Sequence, residues 1–326
     1  MKKIINNPAD VVSESLRAMA VAHPQLKYSE GLEVISLRDK PKGKVGIISG
    51  GGSGHEPAHA GYVGTGMLSA AVAGNMFSAP GPDRILEGIQ QADSGAGVLM
   101  VIKNYSGDIM NFEMATDLAD GVEVRSVVVR DDVAVQDSTY STGRRGISGT
   151  VFVHKVAGAK AESGASLDEV WKAAQKACDN IRSMGMAMTP CVLPAVGKPG
   201  FELGEDEVEI GMGIHGEPGV ERTGVKPAKE VAKVLLGKIL EDMDLGKSEV
   251  ALMVNGLGGT PLMELYILCG EAMSVLEENG VRVYRTFVGN FMTSIEMAGC
   301  SISLMKLDDE LKTLLDAPCD TPALKV

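Results

Sequence analysis

Apolar and polar positions along this chain switch repeatedly between two periods. Apolar runs at Val45–Ser49, Gly97–Lys103 and Val124–Val129 predict buried strands, since strands covered on both faces lose the alternation of half-exposed ones. Apolar residues recur at helical spacing over Pro8–Val21, with the proline in a tolerant first turn, and over Asp83–Ala92. Val151–Ser163 reads as helix, as does the stretch from Ser166 to about Arg182, opened by the capping box Ser166-Leu167-Asp168-Glu169. Met186–Val196 reads as extended, and Gly197–Asp206 is rich in glycine, proline and acid. A strand at Val208–Ile214, a helix at Ala228–Met243 and a strand at Glu249–Val254 follow. Next come a helix at Met263–Asn279 and strands near Val281–Val288 and Cys300–Lys306. This succession predicts an α/β protein of two lobes, each a mostly parallel or mixed sheet flanked by helices. The expected division is 1–185, an N-terminal lobe with a Gly-rich substrate loop, and 186–326, a second lobe whose last residues can pack back on the first.

Composition narrows the functional classes. With 326 residues and 44 % hydrophobic positions the chain has material for substantial cores. A net charge of −12 and the lack of any basic run exclude a nucleic-acid surface. No apolar run reaches membrane-spanning length, and the N-terminus lacks a signal-peptide pattern, so no membrane association is expected. Five widely spaced cysteines without a Cys-x-x-Cys suggest reduced thiols and a cytoplasmic location.

The chemistry concentrates where strands run into glycines. Gly50-Gly51-Gly52-Ser53-Gly54-His55-Glu56-Pro57 follows a buried strand, so its backbone N–H groups and an imidazole meet whatever sits at the strand's carboxyl end. It continues neither as a nucleoside-triphosphate loop nor as a dinucleotide loop. His215 has a similar setting in Gly211-Met212-Gly213-Ile214-His215-Gly216-Glu217-Pro218-Gly219. Taken singly, either histidine reads equally well as a loop hydrogen-bonder; the repeated Glu-Pro after both favours function. Lys103 and Asp108, in Lys103-Asn104-Tyr105-Ser106-Gly107-Asp108, stand at a third strand end. The plain alternatives are a structural Lys–Asp pair, or Asp108 as N-cap of a helix at Ile109–Asp120. Asn255-Gly256-Leu257-Gly258-Gly259-Thr260-Pro261 suits an anion site or, more readily, a tight strand-to-helix turn. His55 and His59 have chelating spacing, but Pro57 and the glycines break a helix there and no metal is expected. The methionines read as core filling, Gly143-Arg144-Arg145-Gly146 as a turn with two exposed arginines, and His23 and His154 as surface and helix residues.

Gly51–Pro57, Lys103–Glu113, Gly211–Gly219, Asn255–Tyr266 and Gly289–Cys300 together resemble the dihydroxyacetone kinase family, in particular the substrate-binding K subunits of the bacterial phosphoenolpyruvate-dependent enzymes. The resemblance covers essentially the whole chain, with no departure at the motif positions. It implies that a ring nitrogen of His215 adds to the ketone carbon of dihydroxyacetone to give a covalent hemiaminal. It implies that Asp108 is the general base on the substrate hydroxyl, and that His55 assists phosphoryl transfer and hydrogen-bonds the substrate. Gly52, Ser53 and Gly54 would supply loop contacts, and Lys103 a contact to the ligand. It also implies that this chain holds no cofactor: ADP/ATP and Mg²⁺ sit on a partner subunit L, recharged by a phosphohistidine subunit M, and subunit K forms a homodimer. Attack on a carbonyl separates the ketone from glycerol, which has hydroxyls only, and tethering orients the terminal hydroxyl for in-line transfer. Some relatives are sensors that bind dihydroxyacetone and activate a transcription regulator. A sensor needs His215 but neither Asp108 nor His55, and the presence of all three favours the kinase. A free-standing ATP kinase would need a phosphate loop or Mg²⁺ ligands that the sequence lacks.

Overall fold

The computed structural model describes residues 2–136, 143–246 and 248–326. Packing groups Lys2–Val129, Thr150–Asp179 and Leu311–Val326 into one compact unit, and Arg130–Gly149 with Asn180–Glu310 into another. The boundary expected at 185/186 falls inside a strand of the second unit, Ile181–Ala187. Local periodicity marks where elements are, not which sheet a strand joins.

The first unit opens with helix α1 (Val11–Ala22) and a hairpin of β1 (Leu26–Ser29) and β2 (Val34–Leu37). Then come β3 (Gly46–Ser53), β4 (Ala70–Met76), α2 (Pro82–Ala92), β5 (Val98–Lys103), α3 (Ser106–Leu118) and β6 (Val124–Val129), followed by α4 (Thr150–Glu162) and α5 (Leu167–Asp179). The sheet order is β1-β2-β4-β3-β5-β6, parallel from β4 to β6, with the hairpin antiparallel at one edge. Every residue of β3 and β5 is buried, which is why both read as unbroken apolar or glycine runs. Ile85 and Ile89 of α2 and Phe112 of α3 pack with Ile48, Val72, Met100 and Ile102 of the sheet. α4 contacts β3 and β5, and α5 contacts β5 and β6. α4 is buried nearly all round, and its apolar residues are joined in the interior by His154 and Lys155. The capping box at α5 forms as predicted: Ser166 N–H donates to Glu169 Oε2 at 2.9 Å, and Glu169 N–H to Ser166 Oγ at 3.4 Å.

The second unit carries β7 (Ile181–Ala187), β8 (Glu207–Ile210), β9 (Glu221–Gly224), α6 (Ala228–Asp242), β10 (Glu249–Gly256), α7 (Leu262–Glu278), β11 (Arg282–Gly289) and β12 (Gly299–Leu307). Its order is β11-β10-β12-β7-β8-β9, with only β10 and β11 parallel. Leu235, Leu236 and Ile239 of α6 and Leu268 and Leu276 of α7 pack on Leu252, Val254, Ile302 and Leu304. Helix α8 (Asp309–Asp316) then leads into the last segment of the first unit, where the buried Lys155 ammonium of α4 donates to Leu314 O at 2.6 Å. Both units are mixed six-stranded sheets flanked by helices, the α/β class expected. No helix among the described residues is long and apolar enough to cross a membrane.

Candidate functional site

In the first unit the chain leaves β3 for β4 on one side and returns through α2 to β5 on the other. Such a divergence opens a crevice beyond the carboxyl ends of the adjacent parallel strands. Gly52, Ser53, Gly54, His55, Lys103 and Asp108 all lie at these strand ends, while His215 belongs to the second unit. The β3 end supplies the glycine loop, which lies against Phe77 and Ser78, the residues following β4; a Cβ on Gly52 would sit 2.5 Å from Ser78 N and 2.7 Å from the Phe77 carbonyl carbon. Ser53 Oγ donates to Gly74 O at 2.8 Å, and Phe77 N–H donates to Ser53 O at 2.9 Å. Gly54 N–H donates to Glu56 Oε1 at 3.0 Å, which folds the loop on itself. The His55 ring is wholly buried and stacks on Phe77, centroids 5.1 Å apart and planes 14° from parallel.

The β5 end supplies Lys103, wholly buried, and α3 supplies Asp108, nearly so. The N-cap of α3 is Tyr105, so Asp108 stands in the first turn, where the helix N-terminus favours a negative charge, and the capping alternative falls. Lys103 Nζ is 3.9 Å from Asp108 Oδ2 and 3.4 Å from Gly50 O. A Cβ on Gly51 would come within 3.5 Å of Asp108 Oδ2, so loop, lysine and aspartate share one small space. Burial lowers the Lys103 ammonium from its usual range, while Asp108 pulls it back up.

Two further histidines stand behind Lys103. His59 Nε2 lies 3.1 Å from Lys103 Nζ, and its Nδ1 lies 2.9 Å from His154 Nε2 and 3.3 Å from Ser49 Oγ. His154, expected only as a helix residue, is fully buried on α4. His55 and His59 therefore face different neighbours, Phe77 for the one and Lys103 with His154 for the other. Among the described residues no group of three or more His, Cys, Asp or Glu is arranged to hold a metal ion. Burial, helped by the Lys103 charge, lowers His154 to about 3; burial first, then Lys103, lowers His59 well below the usual range. An unfolded histidine takes up its proton near pH 6.5, far above the folded His154 at about 3. Between those values the unfolded chain binds the extra proton, so stability falls as pH falls, by about 1.4 kcal/mol per pH unit for each such histidine. Denaturant titrations from pH 7 to pH 4 will show this slope, and His154→Asn will flatten it by about one histidine's share; an unchanged slope would refute the buried neutral ring.

The second unit holds His215. His215 N–H donates to Glu217 Oε2 at 3.0 Å, and its Nδ1 lies 2.9 Å from Glu217 Oε1. Glu217 thus repeats what Glu56 does for Gly54, accepting the N–H two residues back. Arg145 Nη1 is 4.0 Å from Glu217 Oε2; its other nitrogens bind Asp132 Oδ2 (Nε at 2.8 Å) and Gly211 O (Nη2 at 2.8 Å). Gly213 lies close under this pair: a Cβ there would come 2.6 Å from Arg145 Nη1, so a larger residue would have to push the arginine and Glu217 side-chain ends aside. The two arginines expected as exposed are thus built in: Arg145 into this cluster, and Arg144 onto Asp242. Burial acts to raise the Glu217 carboxyl, but its bond with His215 and the nearby Arg145 outweigh that and hold it at about 2. Burial raises Asp132 to about 6 against the pull of Arg145. An ionised Glu217 only accepts, so Nδ1 carries the ring proton and Nε2 the lone pair.

The Asn255–Pro261 segment is the tight turn. Leu257 N–H donates to Gly299 O at 3.1 Å and Gly259 N–H to Met297 O at 2.8 Å, so these groups are spent within the fold. Phe77, His59, His154, Glu217, Arg145 and Asp132 escaped the sequence reading as site residues. Glu217 carried a local signal in the Glu-Pro shared with the loop of His55, while the spacing of His59 and the Arg144-Arg145 turn pointed elsewhere.

Residues 17–323 match the Dak1 domain, and the chain belongs to that family. It is similar, at 52 % identity over 99 % of this chain and 100 % of the other, to the PTS-dependent dihydroxyacetone kinase 1, dihydroxyacetone-binding subunit DhaK, of Listeria innocua serovar 6a. The dihydroxyacetone kinase operon co-activator Dha-DhaQ has the same fold at a TM-score of 0.90 and 39 % identity, covering 95 % of this chain and 96 % of that one. The dihydroxyacetone kinase of C. freundii in complex with AMP-PNP and Mg²⁺ matches at a TM-score of 0.91 and 34 % identity, over 98 % of this chain and 60 % of that one.

Proposed function

We propose that this chain is the dihydroxyacetone-binding K subunit of a phosphoenolpyruvate-dependent dihydroxyacetone kinase. What carries the reading is the 52 % identity to a subunit of that description along its whole length, together with a histidine whose lone pair is directed by Glu217. His215 Nε2 attacks the ketone carbon; the nitrogen–carbon bond forms as the carbonyl π pair moves onto oxygen. That oxygen takes up one proton and the ring gives up its Nδ1 proton toward Glu217, leaving a neutral hemiaminal. Asp108 then accepts the proton of the triose hydroxyl as its oxygen takes the phosphoryl group. His55 assists that transfer, and Lys103 with Gly52, Ser53 and Gly54 contacts the ligand. The donor is ATP with Mg²⁺ on a separate subunit L, whose ADP is recharged by a phosphohistidine subunit M. The chain works as a cytoplasmic homodimer. Mixing it with an ATP-loaded nucleotide-binding subunit and dihydroxyacetone should form dihydroxyacetone phosphate only when both polypeptides are present. Capture of the ketone without product would favour the co-activator reading instead.

A further inference from the structure

The His59–His154 pair has no part in the reaction just described, yet its hydrogen bonds run in one direction only. An ammonium donates and cannot accept, so His59 Nε2, 3.1 Å from Lys103 Nζ, is the acceptor and its ring proton sits on Nδ1. Ser49 Oγ already donates its single hydrogen to Val101 O at 2.7 Å and can only accept from His59. His154 Nε2, 2.9 Å from His59 Nδ1, therefore accepts as well, and the His154 proton lies on Nδ1. That nitrogen is buried and has no hydrogen-bond partner. A polar group stranded in this way destabilises a fold, and an apolar side chain at 154 among the apolar neighbours of α4 would avoid the penalty.

We infer that His59, braced by His154 and Ser49, is a positioning residue that fixes the direction and proton content of the Lys103 ammonium. Lys103 has three N–H groups. One meets His59 and one makes the longer contact with Gly50 O at 3.4 Å. The third remains for a ligand oxygen, because Asp108 Oδ2 at 3.9 Å is beyond hydrogen-bond reach and a hydroxyl fits between the two charges. Without an acceptor at His59 the lysine would swing toward Asp108 or discharge, as its burial favours. The ligand role of Lys103 rests on the function proposed above; the ring polarity does not.

Long-range ¹⁵N–¹H correlation spectra of the wild-type protein test the polarity without any substrate. The expected result is a protonated Nδ1 and a bare Nε2 on both His59 and His154; a proton on His59 Nε2 would overturn the inference, since Lys103 could not donate to it. Kinetics with the ATP-loaded partner subunit test the consequence. His59→Leu should raise KM for dihydroxyacetone about tenfold with kcat changed less than about threefold, the scale of one hydrogen bond to a charged group. His59→Gln, which returns an acceptor near the Nε2 position, should restore most of that affinity. A wild-type KM in folded His59→Leu would overturn the positioning role. Absence of turnover in the wild type would instead count against the proposed function and leave the spectra to judge the rings.

Discussion

His215→Ala should show no mass increment on incubation with dihydroxyacetone, where the wild-type chain gains one triose per polypeptide in intact-protein mass spectrometry. Turnover should fall on the order of a thousandfold or more, because a well-oriented tether supplies up to about 7–11 kcal/mol that a loosely bound ketone lacks. The fold should be almost unaffected, since His215 sits partly exposed in a loop and its backbone N–H still bonds Glu217. Glu217→Gln separates orientation from nucleophilicity. The amide still holds a ring nitrogen in place but takes no proton, so adduct formation should slow without being lost. A normal adduct in His215→Ala would remove the covalent histidine from the reaction altogether.

Asp108→Asn should give the opposite split. The triose is still captured on His215, but kcat falls by roughly 10²–10⁴, the usual worth of a positioned general base. The exchange keeps the shape of a side chain buried in the first turn of α3, so packing is preserved. The amide also withdraws a negative charge from Lys103, 3.9 Å away, leaving burial to push that ammonium further toward neutrality. The measurement is paired: adduct yield by mass spectrometry, and initial rate with the ATP-loaded partner subunit. Full turnover with normal adduct would exclude Asp108 as the base.

Much of the architecture could be read from periodicity because its central strands are buried on both faces. β5 and β10 are mainly apolar runs and β3 an apolar run passing into glycines, and the observed ends of all three lie within a few residues of those expected. Other strands carry no such signal. β4 is Ala-Ala-Val-Ala-Gly-Asn-Met, as compatible with helix as with strand. β9 is Glu-Arg-Thr-Gly and has no apolar residue at all. β7 starts two residues after α5 ends, and the helical pattern ran on through Arg182, which the structure places in the strand. α3 begins at Ser106 rather than near Ile109, because Ser106-Gly107 looks like a turn by composition. The site followed the same logic. Strand ends flowing into glycine were visible, so His55, Lys103, Asp108 and His215 were too. Their supports were not: His154 lies 95 positions from His59, and Asp132 and Arg145 lie some seventy or more before Glu217.

The last segment of the first unit is stitched beside the loop. Ala323 N–H donates to Gly61 O at 2.9 Å, Thr65 bridges Asp320, and Lys155 finds its acceptor in Leu314. A fragment cut after the second sheet begins would carry every loop residue yet lack the Leu314 carbonyl that the Lys155 ammonium binds and leave the turn that follows His59 untied. During synthesis, then, the half of the molecule made first waits for residues made some two hundred and fifty positions later before its loop can settle.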